Sequence, residues 1–154
     1  MSDIRVLLAD DDPDDNLLFN EVMEELPYST ELAVMYNGEQ LLQYLRSIKD
    51  HLPDILFLDL NMPLKNGFDC LVEIRKDKDL RKIPVIIYTT SSAGEIVNQL
   101  YDNGATYFIQ KPNTFDELKQ VINQAISFSL IPDKTQPPMA EFVLPTQSRG
   151  KGAK

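Results

Sequence analysis

The chain has 154 residues, 43% hydrophobic and 25% charged, which suffices for one domain with a core of ordinary size and no need of a metal or disulfide staple. A formal net charge of −9 argues against nucleic acid as a partner, because such binding needs a basic surface. No apolar run nears the roughly 20 residues of a membrane span, no secretory leader opens the chain, and the lone Cys70 can form neither an internal disulfide nor a cysteine metal cluster; the expectation is a reduced, cytoplasmic protein with no membrane partner and a buried thiol.

Five short apolar runs alternate with five amphipathic segments. The first run, Ile4–Ala9, leads directly into Asp10, Asp11, Asp12, Asp14 and Asp15, interrupted only by Pro13. A helix follows, with Asp12 as N-cap, Pro13 at the first helical position, and Leu18, Val22 and Leu26 on the inward stripe. Asp14 and Asp15 fall in its first turn, where the helix dipole favours acids. Glu31–Met35 alternates and reads as an edge strand, and Gly38–Ile48 reads as a helix with Leu41, Leu42 and Leu45 inward. Ile55–Leu58 is continuously apolar, as strands buried on both faces are, and precedes a helix over Gly67–Arg75. Pro84–Tyr88 is the fourth strand, Gly94–Asn103 a helix closed by Gly104, and Thr106–Ile109 the fifth strand. Thr114–Phe128 is the last helix, with Leu118, Ile122 and Ile126 on one stripe. Residues 131–154 carry four prolines and a basic end and read as a loosely held tail to a domain over 1–130, although "EFVLP" could add as a strand to a neighbouring subunit.

Strand–helix alternation implies a doubly wound parallel sheet, an α/β fold, and such sheets bind ligands beyond the carboxyl ends of their strands. The residues falling there are Asp10 and Asp11 after the first strand, Asp59 after the third, Thr89 after the fourth and Lys111 after the fifth. Three carboxylates, a hydroxyl and an ammonium at one sheet edge suit a hard divalent cation such as Mg²⁺, which would neutralise an otherwise self-repelling cluster. A carboxylate so placed can attack phosphorus and become an acyl phosphate, in a transfer that needs charge stabilisation more than proton chemistry.

The motifs "LLADDDP", "FLDLNMPLKNGFDCL", "IPVIIYTTSS", "NGATYF" and "QKP", over about Ile4–Ser127, resemble the receiver domains of two-component response regulators. The resemblance implies a flavodoxin-like (βα)5 fold with strand order 2-1-3-4-5, and Asp59 as the acceptor of a phosphoryl group. It implies Mg²⁺ held by Asp11 directly, by Asp10 mainly through water, by Asp59 and by the Asn61 carbonyl. Thr89 and Lys111 would bind the phosphoryl group, and Lys111–Pro112 would be a cis bond. Thr89 and Phe108 would form the switch, Phe108 turning inward upon phosphorylation with Tyr107 facing the other side of the sheet. Asn61 and Ser91 would tune the phosphoryl lifetime. The implied partners are a sensor histidine kinase or a histidine phosphotransfer protein, an unidentified downstream protein, and a second copy in a homodimer. Residues 131–154 are too few for an output module, so the chain reads as a stand-alone receiver that catalyses only its own phosphorylation and dephosphorylation. The start "DDDPDDNLLFNEVMEEL" resembles single-domain regulators paired with phytochrome-type sensor kinases, and Asp14 and Asp15 could then help select the kinase.

Three other readings are weaker. A haloacid-dehalogenase-type phosphatase needs a second Asp two places after the first, where this chain has Asn61. A calcium loop on Asp10, Asp12, Asp14 and Glu21 lacks its glycine, since Asp15 stands there. The remaining alternative is a receiver-like interaction module that works without phosphorylation. His51, the only histidine, falls in a polar loop, so no histidine-based phosphotransfer module is encoded in this sequence.

Overall fold

Apolar runs whose side chains must be covered on both sides pair as parallel strands beneath two layers of helices. The computed structural model describes residues 3–91, 94–131 and 136–146. Its strands are β1 (Ile4–Ala9), β2 (Thr30–Met35), β3 (Ile55–Leu58), β4 (Val85–Thr89) and β5 (Tyr107–Gln110). They form one sheet in the order β2-β1-β3-β4-β5, parallel throughout. The helices are α1 (Pro13–Glu25), α2 (Gly38–Ser47), α3 (Gly67–Lys76), α4 (Gly94–Asp102), α5 (Phe115–Ser129) and the short α6 (Met139–Phe142). The α/β fold and strand order expected from the sequence are those observed.

Alternation along each strand divides the core in two. Val6 and Leu8 face α1 and α5, packing with Phe19, Val22, Leu118 and Ile122. Leu7 and Ala9 face the other layer, with Leu41, Leu45, Leu71 and Leu100. Phe108 falls in the second cluster and Tyr107 in the first, so the two aromatics lie on opposite faces as expected. Cys70 is fully buried, and burial pushes its thiol up to about 12.

The helix ends follow local chemistry. The Asp12 carboxylate accepts the amides of Asp14 and Asp15, with Pro13 opening α1. Asn37, Asn66 and Thr114 cap α2, α3 and α5. After α4 the chain turns at Gly104 with φ +93°. The Gly104 and Ala105 amides donate to the Tyr101 and Leu100 carbonyls, a Schellman closure that favours glycine.

Three expectations change. The inward stripe of α1 is Phe19, Val22, Met23 and Leu26, whereas Leu18 is 41% exposed. "LLF" at 17–19 offers two overlapping helical stripes, and the one containing the larger Phe19 is buried. The bond before Pro112 is trans, as are all the described peptide bonds. A prolyl amide separates its isomers by only about 1 kcal/mol, so proline at this place does not by itself fix cis.

The third change concerns the carboxyl-terminal stretch, whose described part, 136–146, is held against its own domain. Val143 bridges to Phe108 in parallel, and the Leu144 amide donates to the Phe108 carbonyl at 2.9 Å. Phe142 is fully buried, edge-on to Tyr101 at 5.1 Å and 6.4 Å from Phe108. The Tyr101 hydroxyl donates to the Pro137 carbonyl, and the Gln136 amide donates to the Tyr101 and Ala105 carbonyls. The segment supplies the free edge of β5 with a partner, which an exposed edge strand otherwise lacks.

Candidate functional site

Parallel register sets the site. Ala9 pairs with Leu58, so the next residues, Asp10 and Asp59, leave adjacent strands side by side. The Asp59 amide donates to the Ala9 carbonyl at 2.9 Å, and the Asp10 amide to the Met35 carbonyl at 3.0 Å. On the other side the Lys111 amide donates to the Thr89 carbonyl at 2.7 Å, fastening the end of β5 to that of β4. The sheet thereby brings Asp10, Asp59, Thr89 and Lys111 to one edge, as the sequence anticipates.

Asp10 and Thr89 are fully buried, and Asp59 is 5% exposed. Asp11 is exposed, yet one carboxylate oxygen each from Asp10, Asp11 and Asp59 lies within 4.8 Å of the others. Two oxygens on one Mg²⁺ at about 2.1 Å can be at most about 4.2 Å apart, so this donor set needs only a small side-chain adjustment to share such an ion. Its chemistry, carboxylate oxygen throughout, fits a hard divalent cation.

Lys111 is the internal counter-charge. Its ammonium donates to Asp10 Oδ2 at 2.7 Å, to Asp15 Oδ2 at 2.7 Å and to Asp59 Oδ2 at 3.3 Å, and lies 5.0 Å from the Tyr88 ring centre. These carboxylates drive the Lys111 pKa up despite the opposing cost of burial. Burial also pushes Asp10 up to about 6, against the lowering effect of Lys111 and the Asp12 amide. Burial drives the Tyr88 hydroxyl up as well.

The other anticipated residues are placed as follows. The Asn61 amide donates to Asp59 Oδ1 at 3.4 Å from the loop after β3. The Ser91 amide donates to Thr89 Oγ1 at 3.4 Å. Phe108 is already 2% exposed, beneath Phe142, so the expected inward turn of an outward-facing ring has no starting point in this conformation. Tyr107 is also buried. His51 is exposed, and its carbonyl accepts from Arg5, away from the carboxyl edge.

Two contributors were missed in the sequence. Asp15, assigned to the helix dipole, pairs directly with Lys111. Its place in the first turn of α1, beside the aspartates that end β1, is the only sequence signal for this. Asn16 donates from Nδ2 to the Asp10 carbonyl at 3.0 Å and so braces the loop carrying the cluster; nothing in its identity announces that role.

Comparison with known proteins agrees with this geometry. The response regulator receiver domain model matches residues 6–123. Response regulator Rcp1 of Synechocystis sp. is 29% identical over 129 residues, covering 81% of this chain and 88% of Rcp1. The probable methanogenesis regulatory protein FilR2 of Methanothrix harundinacea is 29% identical over 122 residues, covering 77% of this chain and 79% of FilR2. Among solved structures, the phosphorylated cyanobacterial phytochrome response regulator RcpA superposes with a TM-score of 0.78 at 26% identity, covering 88% of this chain and all of RcpA. The Mn²⁺-bound form of Rcp1 gives 0.74 at 28% identity, covering 87% of this chain and 99% of that one. The chain belongs to the response regulator receiver family, the CheY-like signalling domains of two-component systems. No described helix is long and apolar enough to cross a membrane.

Proposed function

We propose that this protein accepts a phosphoryl group on Asp59 from a sensor histidine kinase or histidine phosphotransfer protein, with Mg²⁺ in the carboxylate cluster, and signals by altered partner binding. The observation that carries this is the Lys111 ammonium, buried at the sheet edge in contact with both Asp10 and Asp59. A cation fixed there stands ready for the negative charge that a transferred phosphoryl group brings.

In the transfer, an Asp59 carboxylate oxygen forms a bond to phosphorus as the phosphorus–nitrogen bond of the donor phosphohistidine breaks. The electron pair leaves on the imidazole, which keeps neutrality by taking a proton. Lys111 donates to the incoming phosphoryl oxygens, and the Thr89 hydroxyl, at the end of β4, offers a further donor. The Asn61 amide orients the other Asp59 oxygen. Asp10, Asp11, Asp59 and the Asn61 carbonyl would hold Mg²⁺, which supplies charge neutralisation to the phosphoryl oxygens when bound. Asn61 and Ser91, flanking the site, would set how readily water reaches the acyl phosphate. Because Phe108 is already buried, a displacement of Thr89 is passed through Phe108 to the 136–146 segment and α4.

The likeness to a cyanobacterial phytochrome response regulator, a red-light-signalling response regulator and a bacteriophytochrome response regulator, at 26–27% identity, favours a phytochrome-type kinase as the donor. The test is incubation with acetyl phosphate and Mg²⁺, followed by intact mass. One added phosphoryl group, lost in Asp59→Asn and in chelator, is expected. Absence of addition from acetyl phosphate and from a panel of phosphorylated histidine kinases would leave a phosphorylation-independent interaction module.

A further inference from the structure

An ammonium has three N–H donors, and those of Lys111 face three carboxylates: Asp10 at 2.7 Å, Asp15 at 2.7 Å and Asp59 at 3.3 Å. Two of these, Asp10 and Asp59, belong to the group whose oxygens lie close enough to share a cation, and Asp15 does not. A divalent cation on Asp10, Asp11 and Asp59 would cancel the charge that attracts Lys111 and add a positive charge that repels it. A phosphoryl group on Asp59 would claim one of the donors. Asp15 is the one carboxylate partner of Lys111, among the described residues, that neither event takes away.

Its placement suits that task. Asp15 sits in the first turn of α1, whose start is fixed by the Asp12 cap and Pro13. Its side chain is 29% exposed, against 8% for Lys111 and 0% for Asp10. It is therefore the most solvent-exposed of the three carboxylates around the ammonium.

We infer that Asp15 is a positioning residue, which retains the Lys111 ammonium at the sheet edge once Asp10 and Asp59 are occupied by cation and phosphoryl group. The inference rests on the phosphoryl-acceptor reading above. Without Asp15 the ammonium is repelled by the cation and the long side chain swings towards solvent. Asp15 itself touches no reacting atom and acts through Lys111 alone.

The test is a double-mutant cycle on the full chain. Phosphorylation by acetyl phosphate is timed by intact mass at saturating Mg²⁺ in wild type, Asp15→Asn, Lys111→Met and the double variant. Loss of one charge-assisted hydrogen bond predicts a rate about tenfold lower in Asp15→Asn. In the Lys111→Met background the same substitution should change the rate less than about twofold, since additivity fails for groups acting through one another. Equal effects in both backgrounds would show that Asp15 acts by its charge alone, and no effect in wild type would show that it does nothing; either overturns the inference.

A second readout is independent of phosphorylation. The ¹⁵Nζ signal of Lys111, recorded with Mg²⁺ bound, should remain visible through slow proton exchange in wild type and vanish in Asp15→Asn. A signal equally persistent in both, or absent in both, refutes the inference. If wild type accepts no phosphoryl group, the functional reading fails, while the Nζ signal still decides the role of Asp15.

Discussion

Replacing Gly67 with alanine should displace Asp59, the proposed phosphoryl acceptor, without touching its side chain. Gly67 opens α3, and a Cβ added there would lie 2.1 Å from the Asp59 carbonyl oxygen and 2.9 Å from both its carbonyl carbon and Leu60 Cα. All three are backbone atoms of the turn leaving β3, so no side chain can rotate aside. Ordinary van der Waals contact begins at 3.4 Å, and the turn must therefore open by about 1.3 Å. The Gly67 amide, donating to the Leu60 carbonyl at 3.0 Å, resists that opening. Overpacking of this kind costs about 1–3 kcal/mol, or about 2–12 °C in melting temperature for a chain of this size. A misplacement of about 1 Å at a reacting group slows chemistry about 100-fold. The assay is the rate of phosphorylation by acetyl phosphate alongside thermal unfolding. Gly94→Ala serves as control, since a Cβ there meets nothing within 4 Å, and should leave both unchanged. Gly67→Ala with a rate within threefold of wild type and an unshifted melting temperature would refute the reasoning.

Other consequences follow from single contacts. Asp12→Ala removes the cap of α1 and should cost about 1 kcal/mol in denaturant unfolding, while Asp12→Ser restores it and both variants retain phosphorylation. Cys70 should resist a thiol-specific disulfide reagent at pH 8 in the folded protein and react with one equivalent in denaturant, because its thiol is held neutral by burial. The sign of the linkage follows: the folded pKa, about 12, lies above the ordinary 9.0, so this group's contribution to stability is intact below pH 9 and lost as the pH rises towards 12. The Leu144 amide should be protected from hydrogen exchange by the Phe108 carbonyl, and Phe142→Ala should abolish that protection while costing about 3–5 kcal/mol. An unprotected Leu144 amide in wild type would contradict the docking of residues 136–146.

Most of the candidate site was legible because topology does the assembling. Once strand–helix alternation implies a doubly wound sheet, the residue ending each strand is assigned to one edge, and Asp10, Asp59, Thr89 and Lys111 follow without any knowledge of distances. Asp15 was not legible, because its contact with Lys111 depends on side-chain reach out of a helical turn, and the helix dipole already accounted for an acid there. Leu18 was misassigned because consecutive apolar residues fit two stripes at helical spacing, and packing volume decides between them. The docking of Phe142 was hidden by the prolines around it; what recruits that segment is the unpaired edge of β5, a property of the assembled sheet and not of the segment. The burial of Phe108 was hidden for the same reason, since it is Phe142 that covers the ring.

The most direct measurement is to locate the phosphoryl group. Protein treated with acetyl phosphate and Mg²⁺ is reduced with borohydride, which converts an aspartyl phosphate to homoserine, then digested and sequenced by tandem mass spectrometry. Homoserine is expected at position 59 alone, and none without Mg²⁺. Homoserine at Asp10 or Asp11 in place of Asp59, or a borohydride-resistant phosphate on a hydroxyl side chain, would contradict it.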